Sequence, residues 1–283
     1  MKTLVLYHGN CPDGFTAAWA AWRALGDQAE YRAVNYGHPP PDDAKGRRVV
    51  LVDFSYPRAA LDALADVAAS VEVYDHHKTA QADLTGWGRG MVVFDMERSG
   101  AGIVWDEFHP REHRPALVSY VEDRDLWRWR LTSSREVSEY VFSWPYSFEN
   151  WDLLASHLGA FGTRGGVAFQ TVVECGSAML RAKHARVAKV CENARWLIFS
   201  GGDGDQVALP VVNTSWDFSE IGEYLCEQFP DAPAGGYYFD RVDARQWGFR
   251  SRDDFDVSAL CKRYGGGGHK NAAGFTSETG WLP

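Results

Sequence analysis

The stretch that decides the fold is "VEVYDHHK", residues 71–78. It begins as a β-strand, because valine and tyrosine favour strands, and it then places Asp75, His76 and His77 in a row. Successive side chains of a strand point to opposite faces, so two neighbouring imidazoles cannot serve one site while the strand stays regular. Either the strand ends before the histidines, or one of the histidines has no part in the site.

The sequence around this stretch alternates strands with helices. Strand patterns occupy residues 3–8, 48–54 and 91–96, and helix patterns occupy residues 13–25, 57–68, with proline in the first turn, and 99–109. Such alternation predicts an α/β protein with a mostly parallel sheet that is covered by helices on both faces. In sheets of this kind, ligands bind beyond the carboxyl ends of the strands.

The length of 283 residues predicts two domains, since a single domain usually has roughly 100 to 200 residues. A proline-free stretch from residue 165 to about 195 predicts a long helix between them. We therefore expect an N-terminal metal-binding domain at 1–164, a linker helix at 165–195 and a smaller α/β domain at 196–283.

Composition limits the classes of partner. The net charge of −9 argues against binding to long duplex nucleic acid, because that affinity depends on many lysine and arginine contacts to phosphates. No apolar run approaches the 18 residues of a membrane span, and the N-terminal "MKTLVLYHGN" is too short for a signal-peptide core. The five cysteines form no C-x-x-C pair. We expect a cytoplasmic protein with reduced thiols and no membrane partner.

Metal-type side chains follow three of the predicted strands, and a later helix pattern, "ALVSYVEDRDLW" (116–127), adds further carboxylates. Asp53 alone would fit a turn or a helix cap. Together, several carboxylates and imidazoles at one sheet edge require cations to neutralise them, because buried charges need partners. Mixed carboxylate and imidazole ligands suit manganese or a similar divalent ion. The residues in question are His8, Asp13, Asp53, Asp75, His76 and Asp123.

Five motifs in a fixed order carry a resemblance to a known family. They are "HGNCPDGFTAA" (8–18), "LVDFS" (51–55), "YDHHK" (74–78), "VEDRDLW" (121–127) and "GGGGHKNAAGF" (265–275). This set resembles the DHH phosphoesterase superfamily, in which a DHH domain is joined to a C-terminal DHHA1 substrate-binding domain. The resemblance implies a manganese-dependent phosphoesterase with two divalent metal ions.

The resemblance also implies a role for each matching residue. Asp53 corresponds to the carboxylate that bridges the two ions, and the second ion takes Asp13, His76 and Asp123. His77 faces the substrate phosphate, so that the alternation of the strand separates the two histidines. Asp75 orients an imidazole through a hydrogen bond and is grouped with His77 as catalytic.

Cys11 departs from the family pattern, which usually has an aspartate at this position as a ligand of the first ion. A thiolate is a softer ligand than a carboxylate. Cys11 therefore either biases the first site toward zinc or iron, or packs at the turn without binding. His8 and Asp53 still mark that first site.

The glycine run near the C-terminus has two interpretations. Its composition fits a flexible loop. Alternatively, small residues let backbone N–H groups approach a phosphate closely, as in the family's glycine-rich motif. On that interpretation the substrate-binding residues are Gly266, Gly267, Gly268 and His269.

These observations predict hydrolysis of phosphodiester bonds in short single-stranded RNA or DNA, or in dinucleotides, by a two-metal mechanism. The acidic composition favours short substrates over long duplexes. Two alternatives remain: a phosphatase that acts on bisphosphorylated nucleotides, and a catalytically weak nucleotide-binding module.

Overall fold

The computed structural model describes residues 2–159, 167–200 and 206–283. The chain divides into two compact units, Met1–Leu180 and Arg181–Pro283, and the division falls inside the long helix Val167–Cys191. The start of the predicted linker helix, at residue 165, lies outside the described residues.

The first unit contains a five-stranded sheet in the order β2-β1-β3-β4-β5, with every neighbouring pair parallel. The predicted α/β class and parallel sheet are confirmed. The strands are β1 (Thr3–His8), β2 (Ala29–Val34), β3 (Arg48–Val52), β4 (Ser70–Asp75) and β5 (Met91–Phe94). Strand β2, at the sheet edge, was not predicted, because "AEYRAV" places charged side chains where an inner strand would be apolar.

Eight α-helices are described up to residue 191, besides two short 3₁₀ helices, Gly26–Gln28 and Asp42–Ala44. Helix α2 begins one residue after Pro57, so this proline is the N-cap rather than part of the first turn. The helices are α1 (Pro12–Leu25), α2 (Arg58–Val67), α3 (Lys78–Leu84), α4 (Gly100–Phe108), α5 (Ala116–Asp125), α6 (Ser134–Phe142), α7 (Phe148–Leu158) and α8 (Val167–Cys191).

Alternate residues of the central strands belong to two separate hydrophobic cores. In β1, Val5 packs with α1, α4 and α5, whereas Leu4 and Leu6 pack with Leu61 of α2 and Leu84 of α3. Both faces of the sheet are therefore covered, as the alternation of strands and helices predicted. With both faces covered, the strand ends are the part of the sheet that remains open to a ligand.

The second unit contains a six-stranded sheet in the order β10-β11-β9-β8-β7-β6, in which β7 and β8 pair in parallel and the other neighbours are antiparallel. Its core is rich in aromatic residues, among them Phe199, Trp247 and Phe249. The elements are β6 (Arg195–Ser200), β7 (Gln206–Asn213), α9 (Phe218–Gln228), β8 (Ala234–Asp240), β9 (Arg245–Ser251), α10 (Val257–Arg263), β10 (Gly267–His269) and β11 (Ala272–Ser277).

Among the described residues, no helix is both long enough and apolar enough to cross a bilayer.

Candidate metal centre

Asp53 occupies the position directly after β3, at the carboxyl edge of the sheet. Its backbone N–H donates to the carbonyl of Tyr74 at 2.9 Å, which continues the ladder with β4 by one residue. Its φ of 52° lies in the left-handed region, which aspartate tolerates better than most residues. The side chain is almost fully buried, with 1% of its surface exposed. The chain thus holds a carboxylate below the surface at the centre of the sheet edge.

Asp13 reaches the same edge from the first turn of α1. The helix begins so close to β1 that a Cβ on Gly14 would lie 2.4 Å from the carbonyl oxygen of His8, so the turn requires glycine. The two oxygens of Asp13 accept hydrogen bonds from the backbone N–H groups of Gly100 (2.7 Å) and Ala101 (3.2 Å), at the start of α4. The N-terminal end of that helix stabilises the negative charge of Asp13.

Strand β4 ends at Asp75, before the two histidines. This is the first of the two possibilities that the sequence left open, so strand alternation does not govern His76 and His77. Asp75 Oδ1 accepts from the backbone N–H of His76 at 2.7 Å and of His77 at 3.2 Å, and it lies 2.6 Å from His77 Nδ1. One carboxylate oxygen therefore shapes the turn and fixes one imidazole.

The imidazole of His76 lies among three carboxylates. Its Nε2 is 3.2 Å from Asp53 Oδ1, 3.4 Å from Asp125 Oδ2 and 3.9 Å from Asp13 Oδ2. His8 Nδ1 approaches Asp53 from the other side, at 3.5 Å from Oδ2. Asp53 is the residue that these two imidazoles share.

The structure places Asp125, rather than the predicted ligand Asp123, beside His76 and Asp13. Both oxygens of Asp123 hold the turn after α5: they accept from the backbone N–H groups of Arg130 (3.0 Å) and Leu131 (3.2 Å) and from the hydroxyl of Ser134 (2.6 Å). Two residues that are two positions apart on a helix are rotated by about 200° from each other about the helix axis. Asp123 and Asp125 therefore point in nearly opposite directions. The sequence offered both carboxylates without indicating which one faces the sheet.

Three groups of side chains in the described part of the chain bring their ligand atoms within 4.8 Å of one another, close enough to hold an ion. The groups are His8 with Cys11 and Asp53; Asp53 with His76 and His77; and Asp13 with His76 and Asp125. Asp53 belongs to two of them, as a bridging ligand would.

No protein-family model matches the chain. The chain is 28% identical over 300 residues to an uncharacterized protein of Acanthamoeba polyphaga mimivirus, covering 99% of this chain and 69% of that protein. Among solved structures, it resembles the DHH domain of a member of a ribosomal-protein family, with a TM-score of 0.59 and 14% identity over 98% of this chain and 83% of the other.

The chain has the DHH fold. Two further structures share it. Manganese-bound RecJ of Thermus thermophilus aligns with a TM-score of 0.52 and 16% identity over 100% of this chain and 50% of RecJ. The pGpG-specific phosphodiesterase PggH of Vibrio cholerae aligns with a TM-score of 0.50 and 13% identity over 99% of this chain and 94% of PggH.

Within this DHH fold, several buried polar atoms at the sheet edge make no hydrogen bond of good geometry within the described residues. Neither oxygen of Asp53 has a hydrogen-bond partner in the described residues, and the same holds for His8 Nδ1 and for one oxygen of Asp75. Leaving such groups unpaired costs free energy, and more so for charged groups. Divalent cations would satisfy these atoms, so the residues present fit a metal centre.

The electrostatics agree with this fit. Burial raises the pKa of Asp13, and the neighbouring Asp125 and Asp53 carboxylates raise it further. Burial likewise raises the pKa of Asp125. Burial alone lowers the pKa of His76, but Asp53, Asp125 and Asp13 outweigh it and raise that pKa to about 10. Without a cation, the cluster therefore holds protons that a metal ion would displace.

Two exposed tyrosines lie beside the cluster. Tyr36 is 51% exposed, and its ring centroid is 5.3 Å from that of His8 and 6.0 Å from that of His77, edge to face in both cases. Tyr146 is 40% exposed and stacks on Phe15, two residues after Asp13, with centroids 5.1 Å apart. The pattern of the sequence did not single out either tyrosine, because neither lies in a motif.

The second half of the glycine run of the second unit is part of a strand rather than a loop. Residues 267–269 form the edge strand β10 and pair with β11. A Cβ on Gly266 would lie 2.1 Å from the carbonyl oxygen of Gly274, and one on Gly268 would lie 2.6 Å from that of Ala272. These two glycines therefore permit close packing of β10 on β11. The half-exposed His269 ends the strand.

Proposed function

We propose that the protein is a divalent-metal-dependent phosphoesterase that hydrolyses phosphodiester bonds of short oligonucleotides or dinucleotides. One observation carries the proposal: the buried Asp53 carboxylate lies between the imidazoles of His8 and His76 at the carboxyl edge of a parallel sheet, and within the described residues neither of its oxygens accepts a hydrogen bond of good geometry. Two ions sharing one carboxylate are the arrangement used for in-line displacement at phosphorus.

The chain's own residues divide between two ion sites. His8, Cys11 and Asp53 would hold the first ion, and the second would be held by Asp53 with Asp13, His76 and Asp125. Divalent ions held there would supply Lewis-acid stabilisation of the charge that develops on the phosphate and a nucleophile at neutral pH. Ligands of oxygen and imidazole type favour manganese for the second site.

His77 is proposed to bind the phosphate. Its Nδ1 lies 2.6 Å from Asp75 Oδ1, which fixes the orientation of the ring at the sheet edge. Burial alone lowers the pKa of His77, but Asp75 outweighs this effect and raises it, so the ring holds a proton more readily than an isolated histidine. A protonated ring would donate from Nε2 to a phosphate oxygen. Asp75 is then a positioning residue, because it acts on the substrate through His77.

The exposed aromatic rings support a substrate that carries nucleobases. Tyr36 lies against His8 and His77, so a base stacked on its ring would be next to the proposed phosphate site. Stacking of a base on an aromatic side chain contributes about 1–3 kcal/mol and tolerates any base. The net charge of −9 favours short substrates. We keep Gly266, Gly267, Gly268 and His269 as proposed substrate-binding residues of the second unit.

The test is a panel of dinucleotides, short RNA, short DNA and bisphosphorylated nucleotides, incubated with Mn²⁺ or with a chelator, with the products separated by charge. We expect Mn²⁺-dependent cleavage of the dinucleotides or short strands, and its loss in Asp53→Asn. Tyr36→Ala should weaken cleavage of these substrates more than cleavage of bis-p-nitrophenyl phosphate, which carries no base. Release of phosphate from bisphosphorylated nucleotides alone would overturn the diesterase proposal, and no turnover in the whole panel would overturn phosphoesterase activity.

A further inference from the structure

We propose that Cys11 ligates the first ion through its thiolate, so that this site selects zinc or an ion of similar softness while the second site selects manganese. The centre would then hold two different metals. This inference rests on the metal centre of the proposed function, and it concerns the choice of ion rather than the reaction.

The position of Cys11 supports ligation. Its sulfur and the ligand atoms of His8 and Asp53 lie within 4.8 Å of one another. Cys11 is the N-cap of α1, with extended backbone angles, and its carbonyl accepts the first helical hydrogen bond from Phe15 at 2.9 Å. The start of α1 therefore fixes where the thiol is placed.

The partners of this sulfur are themselves unsatisfied. Asp53 is 1% exposed, and neither of its oxygens has a hydrogen-bond partner in residues 2–159, 167–200 and 206–283; the same is true of His8 Nδ1. These buried polar atoms belong to residues other than the cysteine. His8 and Asp53 each place a ligand atom within 4.8 Å of its sulfur. A cation bound by all three residues would satisfy them together.

The surroundings of Cys11 differ from those of a packing residue. The buried cysteines Cys191 and Cys261 each belong to a hydrophobic cluster of the second unit, and the thiol of the buried Cys226 donates to the carbonyl of Arg250 at 3.4 Å. Cys11 belongs to none of the hydrophobic clusters of the described residues, and a carboxylate oxygen of Asp53 lies within 4.8 Å of its sulfur.

The two sites differ in their donor atoms. The first offers a sulfur, an imidazole nitrogen and a carboxylate oxygen, a set that suits zinc, cobalt or iron. The second offers the Asp13 and Asp125 carboxylates with His76, and shares Asp53, a set dominated by hard oxygen. The two sites therefore share the carboxylate of Asp53, and the first site has the softer set of ligand atoms.

The test uses Co²⁺ as a spectroscopic probe of the intact, metal-stripped protein. A thiolate bound to Co²⁺ gives a ligand-to-metal charge-transfer band in the near ultraviolet, which oxygen and nitrogen ligands do not give. We expect the band at one equivalent per chain, its loss in Cys11→Ala and Cys11→Asp, and its retention in Cys175→Ala, which removes an exposed cysteine of α8. Circular dichroism of each variant verifies that the fold is kept.

A competition for Zn²⁺ and Mn²⁺, read by elemental analysis, completes the test. Wild type should retain both metals, and Cys11→Asp should shift the ratio of bound metals toward manganese by roughly tenfold or more. Exchanging a sulfur ligand should change the affinity for zinc at least as much as losing a residue that only supports a ligand. Co²⁺ binding without the charge-transfer band, or an unchanged metal ratio in Cys11→Asp, would overturn the role of Cys11 alone. A wild-type protein that binds no metal would overturn the metal centre of the proposed function as well.

Discussion

Gly100, the first residue of α4, lies directly against Asp53: a Cβ at position 100 would be 2.4 Å from the Cβ of Asp53. The backbone N–H of the same glycine donates to Asp13 Oδ2 at 2.7 Å. One glycine thus determines how closely a helix start approaches two candidate ligands that follow different strands.

Gly100→Ala should therefore damage the metal centre although no ligand is substituted. The added methyl group must displace either Asp53 or α4, and we expect the affinity for Mn²⁺ to fall by roughly tenfold or more. Titration calorimetry on the metal-stripped protein measures this change. Gly88→Ala is the matched control, because a Cβ there has no heavy atom within 4 Å. Wild-type affinity in Gly100→Ala would show that the contact with Asp53 has no effect on binding.

Asp125 and Asp123 should respond differently to the same substitution. Asp125→Asn removes a proposed ligand, so bound manganese should be lost while the metal-free protein stays as stable as wild type. Asp123→Asn weakens a turn that depends on three accepted hydrogen bonds, so it should lower the free energy of unfolding by about 1–3 kcal/mol and keep the ligand set. Elemental analysis and urea denaturation separate the two effects. Loss of metal in Asp123→Asn with unchanged stability would contradict this division.

Substitutions of His76 and His77 should also have different effects. Nε2 of His76 lies within 4 Å of three carboxylates, so His76→Ala should reduce the metal content. His77 is fixed by Asp75 and is proposed to face the phosphate, so His77→Ala should keep most of the metal and lower kcat by about 10²–10³-fold, the usual cost of removing one donor that stabilises developing charge. Equal metal loss in both variants would make His77 a ligand, which its proximity to Asp53 and His76 permits.

Metal binding should depend on pH. The pKa of His76 is raised to about 10 in the metal-free protein, chiefly by Asp53 and then by Asp125 and Asp13 against the effect of burial. A raised histidine pKa stabilises the fold fully below the ordinary value near 6.5, and this contribution is lost as the pH rises through about 10. The raised pKa values of Asp13 and Asp125 act in the same direction.

We therefore expect the chelated protein to become less stable above about pH 6.5. The stabilisation by Mn²⁺ should grow as the pH rises from about 6 to 8, because the ion displaces the His76 proton and this release is favoured at lower proton concentration. Urea denaturation with Mn²⁺ and with chelator at each pH measures both quantities. The His76→Ala variant is the control, since its dependence on pH should be weaker. A stabilisation by Mn²⁺ that is constant over this range would exclude proton displacement.

His269 is expected to bind substrate rather than metal. His269→Ala should leave the metal content unchanged and lower kcat/KM on an oligonucleotide by roughly ten- to a hundredfold, the equivalent of about 1.5–3 kcal/mol for one polar contact. On bis-p-nitrophenyl phosphate the loss should be much smaller. Lys270→Ala, which removes the neighbouring exposed side chain paired with Asp254, is the control. Equal losses on both substrates would place His269 in the chemistry, and no loss on either would remove it from the site.

The sequence alone determined the parallel α/β architecture and the placement of His8, Asp53 and Asp75 at one sheet edge. These features depend on local patterns: apolar runs mark buried strands, and parallel strands necessarily end at the same side. The same patterns could not find β2, whose charged side chains are tolerated because it lies at the edge of the sheet.

Only the tertiary structure decided between Asp123 and Asp125, ended β4 before the histidines, and paired the glycine run with β11. The sequence of α5 fixes the angle between its two aspartates, but the rotation of the whole helix is set by its packing against other elements. The choice between them therefore depends on contacts between residues distant in the sequence. The same contacts place the thiol of Cys11 beside Asp53, 42 positions along the chain, a proximity that no local pattern encodes.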